Sequence, residues 1–130
     1  MLIFEILLSF VAEKHDVGYV PGGQISFDAK PVDNGNNFDI MEGKLVVPTD
    51  GYYCFLFNGY VNPNDHVSRI EVLVNGEPQR TFFDSNSNEV TFHFTLELKR
   101  NDELWLENRD SSAYYTNSEY VMTFMGYLIN

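Results

Sequence analysis

The chain has 130 residues, of which 44% are apolar and 15% are aromatic, and this composition predicts one packed globular domain and excludes a disordered chain. The formal net charge is -11, which argues against binding to nucleic acids or anionic membranes, because both require clustered Lys and Arg. The acidity favours cations, basic surfaces or neutral ligands such as glycans as partners; alternatively, it only keeps the protein soluble.

The N-terminal segment MLIFEILLSFVAEK (1–14) opens with an apolar run that is too short to span a membrane. It is a poor signal peptide, because it lacks a basic start and carries Glu5 within the apolar run. Some signal-peptide character remains, since SFVA ends in a small residue, but we prefer a first strand within residues 2–12. The chain is then one domain, 1–130, with residues 1–8 as an N-terminal extension or the start of that strand.

Strand-like runs follow along the rest of the chain, separated by Gly, Pro, Asn and Asp, and no segment shows a sustained helical period. The predicted strands lie near 7–14, 24–28, 36–39, 43–48, 51–60, 67–75, 78–84, 89–98, 102–108 and 119–129. So many short strands in one small domain predict an all-β sandwich or barrel.

Four turns between these strands have explicit chemistry. DNGN (33–36) and VNGEP (74–78) carry Asn-Gly, which predicts β-hairpins, because both central residues of a type I′ turn need a positive φ. PTDG (48–51) and NPND (62–65) are typical of polar turns that contain a proline.

The strand at 51–60 and the closing strand at 119–129 are apolar at both alternating sets of positions. A strand that is apolar on both faces is buried on both faces, so one set is predicted to fill the core and the other to contact another subunit. The alternative is a monomer whose loops cover this sheet. The residues predicted at the subunit contact are Cys54, Leu56, Tyr127 and Ile129.

Cys54 is the only cysteine, so no internal disulfide is available. Its sequence neighbours include no His and no helix start that would activate the thiol. It is therefore predicted to be a small buried hydrophobe rather than a nucleophile.

Several motifs, in order, resemble the complement C1q-like globular head family, which shares a jelly roll with tumour necrosis factor. SFVAEK (9–14) resembles the opening strand of that family, and the long segment QISFDAKPVDNGNNFDIMEGKLVVPTDGYYCFLF (24–57) is similar to its central signature. The later strands are matched by IEVLVNGE (70–77), LELKRNDELWLEN (96–108) and SEYVMTFMGYLI (118–129). Two departures are Asn101, which replaces the usual Gly of the Gly-Asp turn but still tolerates a left-handed conformation, and Val46 or Val47, where many members carry Cys.

The resemblance implies a ten-stranded jelly-roll β-sandwich that assembles as a compact homotrimer, is secreted and recognises ligands without catalysis. The implied ligands are microbial surfaces, glycans or proteins, as in lectin-like pattern recognition of innate immunity. The alternatives are a structural trimerisation head of a larger secreted protein and a cytokine-like receptor ligand.

Conventional catalytic motifs are missing from the sequence. The three histidines, His15, His66 and His93, lie far apart without zinc-site spacing, and there is no nucleophile elbow, P-loop or dinucleotide fingerprint. The chain is therefore predicted not to be an enzyme.

The segment DSNSNE (84–89) concentrates oxygen donors of the kind that Ca²⁺ prefers. The resemblance places Asp84 near the loop that feeds an apical calcium cluster in the family. The alternative is a solvated turn between two strands. The candidate calcium ligands are Asp84, Asn86, Asn88 and Glu89.

The polar segment ENRDSSAYYTNSEY (107–120), before the closing strand, is the best candidate for a ligand-binding loop, because tyrosines offer contact area with a polar tip. The alternative is that its tyrosines only cover a sheet edge. A second, weaker candidate is NGYVNPNDHVSR (58–69). The candidate ligand-binding residues are Arg109, Asp110, Tyr114, Tyr115 and Glu119.

Overall fold

A computed structural model describes residues 8–15, 18–61, 68–84, 88–110 and 114–129. These residues contain thirteen β-strands and no helix. In chain order the strands are β1 (Ser9–Lys14), β2 (Gly18–Tyr19), β3 (Gly23–Gln24), β4 (Ala29–Asn34), β5 (Phe38–Asp39), β6 (Lys44–Val46), β7 (Gly51–Tyr60), β8 (Ser68–Val74), β9 (Glu77–Asp84), β10 (Glu89–Leu98), β11 (Glu103–Asn108), β12 (Tyr115–Thr116) and β13 (Met122–Ile129). The described ranges accordingly hold no helical segment that could cross a membrane.

The strands build a jelly-roll β-sandwich, as the sequence predicts. The first sheet has the strand order β10-β7-β13-β1-β4, and the second has the order β5-β6-β11-β8-β9 with β3 alongside β11. The short strands β2 and β12 pair with each other as a separate ribbon.

The core between the sheets is largely aromatic. In strand β10, for example, buried and exposed residues alternate strictly along ten positions, so one side of the strand fills the core. Phe10 stacks on Phe38 with ring centroids 4.4 Å apart, and Phe55 stacks on Phe94 at 5.0 Å and on Phe124 at 5.7 Å. Burial of each such side chain stabilises the fold by about 1.5–3 kcal/mol.

Two of the predicted turns have different outcomes. Asn75 and Gly76 have φ values of 52° and 83° and join β8 to β9, so the hairpin predicted at VNGEP is confirmed. In DNGN the positive φ values fall on Gly35 (95°) and Asn36 (55°), and the turn joins β4 of the first sheet to β5 of the second. The hairpin predicted there is wrong, because the chain changes sheets at this turn.

The strand predicted at 24–28 is not formed either, because β3 ends at Gln24 and β4 begins at Ala29. The Phe27 amide donates to the Ile40 carbonyl at 2.7 Å and the Asp28 amide to the Glu13 carbonyl at 2.9 Å, so the chain crosses between the sheets here. The strand that follows, β4, tolerates Pro31 because β4 is the edge of the first sheet.

Candidate functional site

The strand registers define two ends of the sandwich. At the proximal end, the start of β1 meets the end of β13, where Ser9 pairs with Tyr127. At the distal end, the same two strands pair Lys14 with Met122. The first and last strands of the described residues thus begin and end at the proximal end.

The residues predicted for calcium and ligand binding gather at the distal end. They lie where β9 ends, β10 begins and β11 ends, and in the segment from β12 to the start of β13. Asn86 lies outside the described residues. Those that the structure places at this end are Asp84, Asn88, Glu89, Arg109, Asp110, Tyr114, Tyr115 and Glu119.

Tyr114 anchors the predicted ligand loop in the core. Its side chain is fully buried and meets Phe57 edge-on, with ring centroids 5.7 Å apart. Gly59 makes room for the ring, because a Cβ at that position would lie 2.8 Å from a Tyr114 ring carbon. Tyr114 is therefore a structural residue of the loop and not a surface contact.

The Tyr114 hydroxyl lies among polar groups from three strand ends. Burial raises the pKa of Tyr114 to about 12; the nearby Ser68 hydroxyl opposes this rise, and the charges of Asp84 and Asp110 add to it. Neither this hydroxyl nor Asp110 Oδ2 has a hydrogen bond of normal geometry within the described residues, although both atoms are buried. Asp84 and Asp110 are thus both close enough to this buried phenol for their charges to act on it.

Glu89 and Asn88 have contacts of their own within the first sheet and its edge. Glu89 lies on the exposed side of β10, where its Oε1 accepts a hydrogen bond from Asn58 Nδ2 at 2.9 Å. The Asn88 carbonyl accepts from the Val61 amide at 2.7 Å. Within the described ranges, no three His, Cys, Asp or Glu side chains are grouped as a metal site.

Arg109 is engaged within the second sheet. Its Nε and Nη2 atoms donate to both oxygens of Glu71, at 3.2 and 3.0 Å, and Nη2 also lies 2.9 Å from Glu107 Oε2. The hydrogen bond to Glu71 is the main reason that the pKa of Arg109 is raised. A ligand that used this guanidinium would have to compete with two carboxylates.

The remaining loop residues shape the surface of the distal end. Tyr115 meets Tyr19 edge-on across the β2–β12 ribbon, with ring centroids 5.5 Å apart. The Glu119 amide donates to Asn117 Oδ1 at 2.7 Å, so Glu119 sits in a tight turn. Tyr120 is 44% exposed and tilts against Tyr60 at 5.1 Å.

A cavity of about 380 Å³ opens beside the β2–β12 ribbon. We call it the Lys14 cavity, and the residues lining it include Lys14, Tyr19, Gln24, Ser26 and Thr116. This cavity was not predicted from the sequence. One sequence feature does indicate it: Lys14 shares the inward-facing positions of SFVAEK with Phe10 and Ala12.

The outer face of the first sheet carries a second cluster of candidate residues. Paired positions form one row across it: Val32, Val11, Met125, Leu56 and His93. A neighbouring row joins Tyr127 to Cys54 and Thr95. The structure therefore places all four predicted contact residues, Cys54, Leu56, Tyr127 and Ile129, on one face, which we call the assembly face.

The assembly face carries large exposed side chains. Tyr52 is 55% exposed, Tyr127 50% and Ile129 42%, and all three lie at its proximal part. Cys54 Sγ lies 3.5 Å from Thr95 Oγ1, and its hydrogen bond with the Tyr127 hydroxyl raises the pKa of Tyr127. Tyr52 was not among the predicted contact residues, although it shares the outward alternation of Cys54 and Leu56.

Known proteins match this chain over nearly all of its length. Residues 9–129 match the C1q domain family. Human and mouse proteins named complement C1q tumor necrosis factor-related protein 3 are each 26% identical over 109 residues, which is 81% of this chain and 44% of the relative. The chain thus spans less than half the length of these curated relatives.

Two solved structures illustrate the likeness of fold. The globular domain of zebrafish complement 1qA protein has a TM-score of 0.76 at 20% identity, covering 95% of this chain and 98% of that chain. Eiger TNF from S. frugiperda has a TM-score of 0.70 at 12% identity, covering 97% of this chain and 95% of that chain. At these identities the likeness concerns the fold alone.

Proposed function

The chain belongs to the C1q domain family, and we propose on that basis that it is a non-catalytic recognition domain, secreted and assembled as a homotrimer. The proposed ligands are microbial-surface, glycan or protein groups, bound at the distal end in the manner of a lectin-like pattern-recognition protein. The observation that carries this proposal is the pairing of an exposed apolar assembly face with polar loops gathered at the distal end.

The assembly face supports the trimer. Large apolar side chains that remain exposed on a sheet, next to one another, mark a surface for association. Five of its positions, Val11, Val32, Leu56, Met125 and Tyr127, come from four adjacent strands and so form one continuous patch. A homotrimer that packs through this face leaves the three distal ends directed the same way.

Parallel distal ends favour recognition of repetitive surfaces. Three weak sites held on one rigid body bind a repetitive ligand with an effective concentration that raises the overall affinity far above that of one site. The net charge of -11 favours neutral or basic ligand groups over anionic ones.

Calcium assistance at the distal end belongs to the same proposal. Asp84 and Asp110 lie near the Tyr114 hydroxyl, and Asp110 Oδ2 is buried without a hydrogen bond among the described residues. Carboxylate oxygens of this kind fit Ca²⁺, which takes oxygen ligands. When bound, the ion would neutralise the two carboxylates and order the loop that Tyr114 anchors.

Binding to a panel of glycans and bacterial surface components, with Ca²⁺ and with EDTA, tests the recognition function. We expect binding that depends on multivalent display, and a loss of binding in EDTA that added Ca²⁺ reverses. The variant Asp84→Asn should reduce the Ca²⁺ dependence, whereas Asp39→Asn, in β5 of the second sheet, serves as the matched control. Unchanged binding after chelation would remove calcium from the proposal but leave recognition in place.

A second candidate is a structural head of a larger secreted protein. The observation in its favour is that the chain spans 44% of the curated relatives that it matches. A stable trimer without affinity for any member of the panel would favour this assembly role over recognition. A cytokine-like ligand would instead bind a cell-surface receptor at low concentration.

A further inference from the structure

We propose that the Lys14 cavity binds a single neutral sugar unit. This inference rests on the proposed ligand-binding role of the distal end, and it adds the position and the chemical class of the ligand. The size of the cavity, its polar groups and the exposed Tyr19 ring beside it support this ligand class.

The size of the cavity suits one small ring. Small-molecule sites occupy about 300–1,000 Å³, and the Lys14 cavity, at about 380 Å³, lies at the lower end of that range. Gly18, at φ 116°, lines the cavity, and a Cβ built on it would have no heavy atom within 4 Å. The backbone beside the cavity is therefore open to an incoming group.

The polar groups of the cavity can hydrogen-bond hydroxyls. Lys14 is only 6% exposed, and its Nζ lies 3.4 Å from Ser26 Oγ, to which it donates. Thr116, in the β2–β12 ribbon, also lines the cavity and is 1% exposed. The Gln24 amide nitrogen donates to the Glu42 carbonyl, which fixes the orientation of that side chain. Ammonium, hydroxyl and amide groups at fixed positions match the alternating donors and acceptors of a sugar ring.

Tyr19 supplies the apolar surface that a sugar also needs. Its side chain is 51% exposed and lines the cavity, so its ring is accessible from solvent. The edge-on contact with Tyr115 holds the ring in place. Tyrosine combines a flat apolar face with a polar tip, which suits the C–H face and the hydroxyls of a pyranose.

The charge balance of the whole protein favours a neutral ligand over an anion. The net charge of -11 disfavours the approach of anions to the protein as a whole. The Lys14 ammonium can serve a neutral sugar as a hydrogen-bond donor.

The test is a nuclear magnetic resonance titration of the ¹⁵N-labelled full chain with methyl glycosides of glucose, galactose, mannose and N-acetylglucosamine. We expect at least one glycoside to shift the amides of Gly18, Val20, Ile25 and Thr116, with a Kd on the order of 1–10 mM for so small a ligand. Sodium acetate at the same concentrations is the anion probe. Acetate should not shift the resonances of these amides.

Two variants sharpen the test. Tyr19→Ala removes the aromatic face and should weaken binding about 5-fold or more. Ser26→Leu fills the cavity and should abolish binding. The matched control is Phe83→Ala, which removes an aromatic side chain that is 64% exposed on β9, away from the cavity, and should leave binding unchanged. If a variant does not fold, the shift map of the unaltered chain still decides.

Three results would overturn the inference: no shift of the cavity amides with any glycoside, shifts confined to other parts of the chain, or an equal response to acetate. Each of these is distinct from failure of the proposed function. If the trimer binds members of the glycan and bacterial panel but the resonances of its cavity amides do not shift, only the sugar assignment is overturned. A protein that binds nothing on that panel overturns the recognition function itself.

Discussion

Replacing Tyr114 by Phe tests how the distal loop is joined to the core. Burial raises the pKa of the Tyr114 phenol from 10.0 to about 12. Below pH 10 the phenol keeps its proton in both the folded and the unfolded chain, so it contributes no pH dependence there. Between pH 10 and pH 12 the unfolded chain releases its proton first, and the folded state therefore loses stability as the pH rises.

The size of this effect follows from the pKa difference. At pH 11, one unit above the unfolded pKa and one below the folded pKa, the loss of unfolding free energy is about 1.4 kcal/mol. At neutral pH, Tyr114→Phe removes a hydroxyl that lacks a well-formed hydrogen bond, and the stability should change by less than about 1 kcal/mol.

Urea unfolding at pH 9 and pH 11, at one protein concentration, measures the effect. The stability of the unaltered protein relative to Tyr114→Phe should fall by about 1.4 kcal/mol between the two pH values. The matched control is Tyr120→Phe, at a side chain that is 44% exposed, and it should follow the pH dependence of the unaltered protein. If the unfolding free energies of the unaltered protein and Tyr114→Phe differ by the same amount at both pH values, the buried placement of this phenol is refuted.

Two further substitutions test the core and the assembly face. Gly59→Ala should destabilise the fold by about 1–3 kcal/mol in thermal or urea unfolding, because the new Cβ would overlap the aromatic ring packed 2.8 Å away; wild-type stability would contradict that packing. Leu56→Asp places a charge in the middle of the assembly face and should convert trimer to monomer in sedimentation velocity, whereas Met41→Asp, at a side chain that is 83% exposed, should not. A trimer that tolerates Leu56→Asp would move the subunit contact to another surface.

The sequence predicted the sandwich, and the placement of Cys54, Leu56, Tyr127 and Ile129 on one sheet face, because both depend on alternation along single strands. Cys54 and Leu56 alternate with aromatic residues on one strand, and this local pattern is sufficient to place them on the outer face. The Asn75–Gly76 turn is likewise set by adjacent residues with positive φ.

The distal cluster could not be predicted in this way, because it depends on contacts between distant strands. Arg109 lies 38 residues from Glu71 in sequence, and nothing in the polar loop indicates that its guanidinium pairs within the second sheet. Asp84 and Asp110 approach Tyr114 only because β9 and β11 end on the same side of the sandwich. Periodicity does not determine strand order, so it does not determine which strand ends meet.

The Lys14 cavity could not be predicted from periodicity either, apart from one of its residues. Its walls come from β1, from the β2–β12 ribbon and from the segment that crosses between the sheets, and ribbon strands of two residues are too short to show a period. The lysine at an inward position of β1 is the part of the site that alternation does reveal.

The central claim is that three copies of this domain associate through the assembly face and present their distal ends together. Multi-angle light scattering on the protein eluting from a gel-filtration column measures the mass without assumptions about shape. The chain has a mass of 15.0 kDa, so a homotrimer should give about 45 kDa at micromolar concentration. A single species of 15.0 kDa under the same conditions would contradict the account.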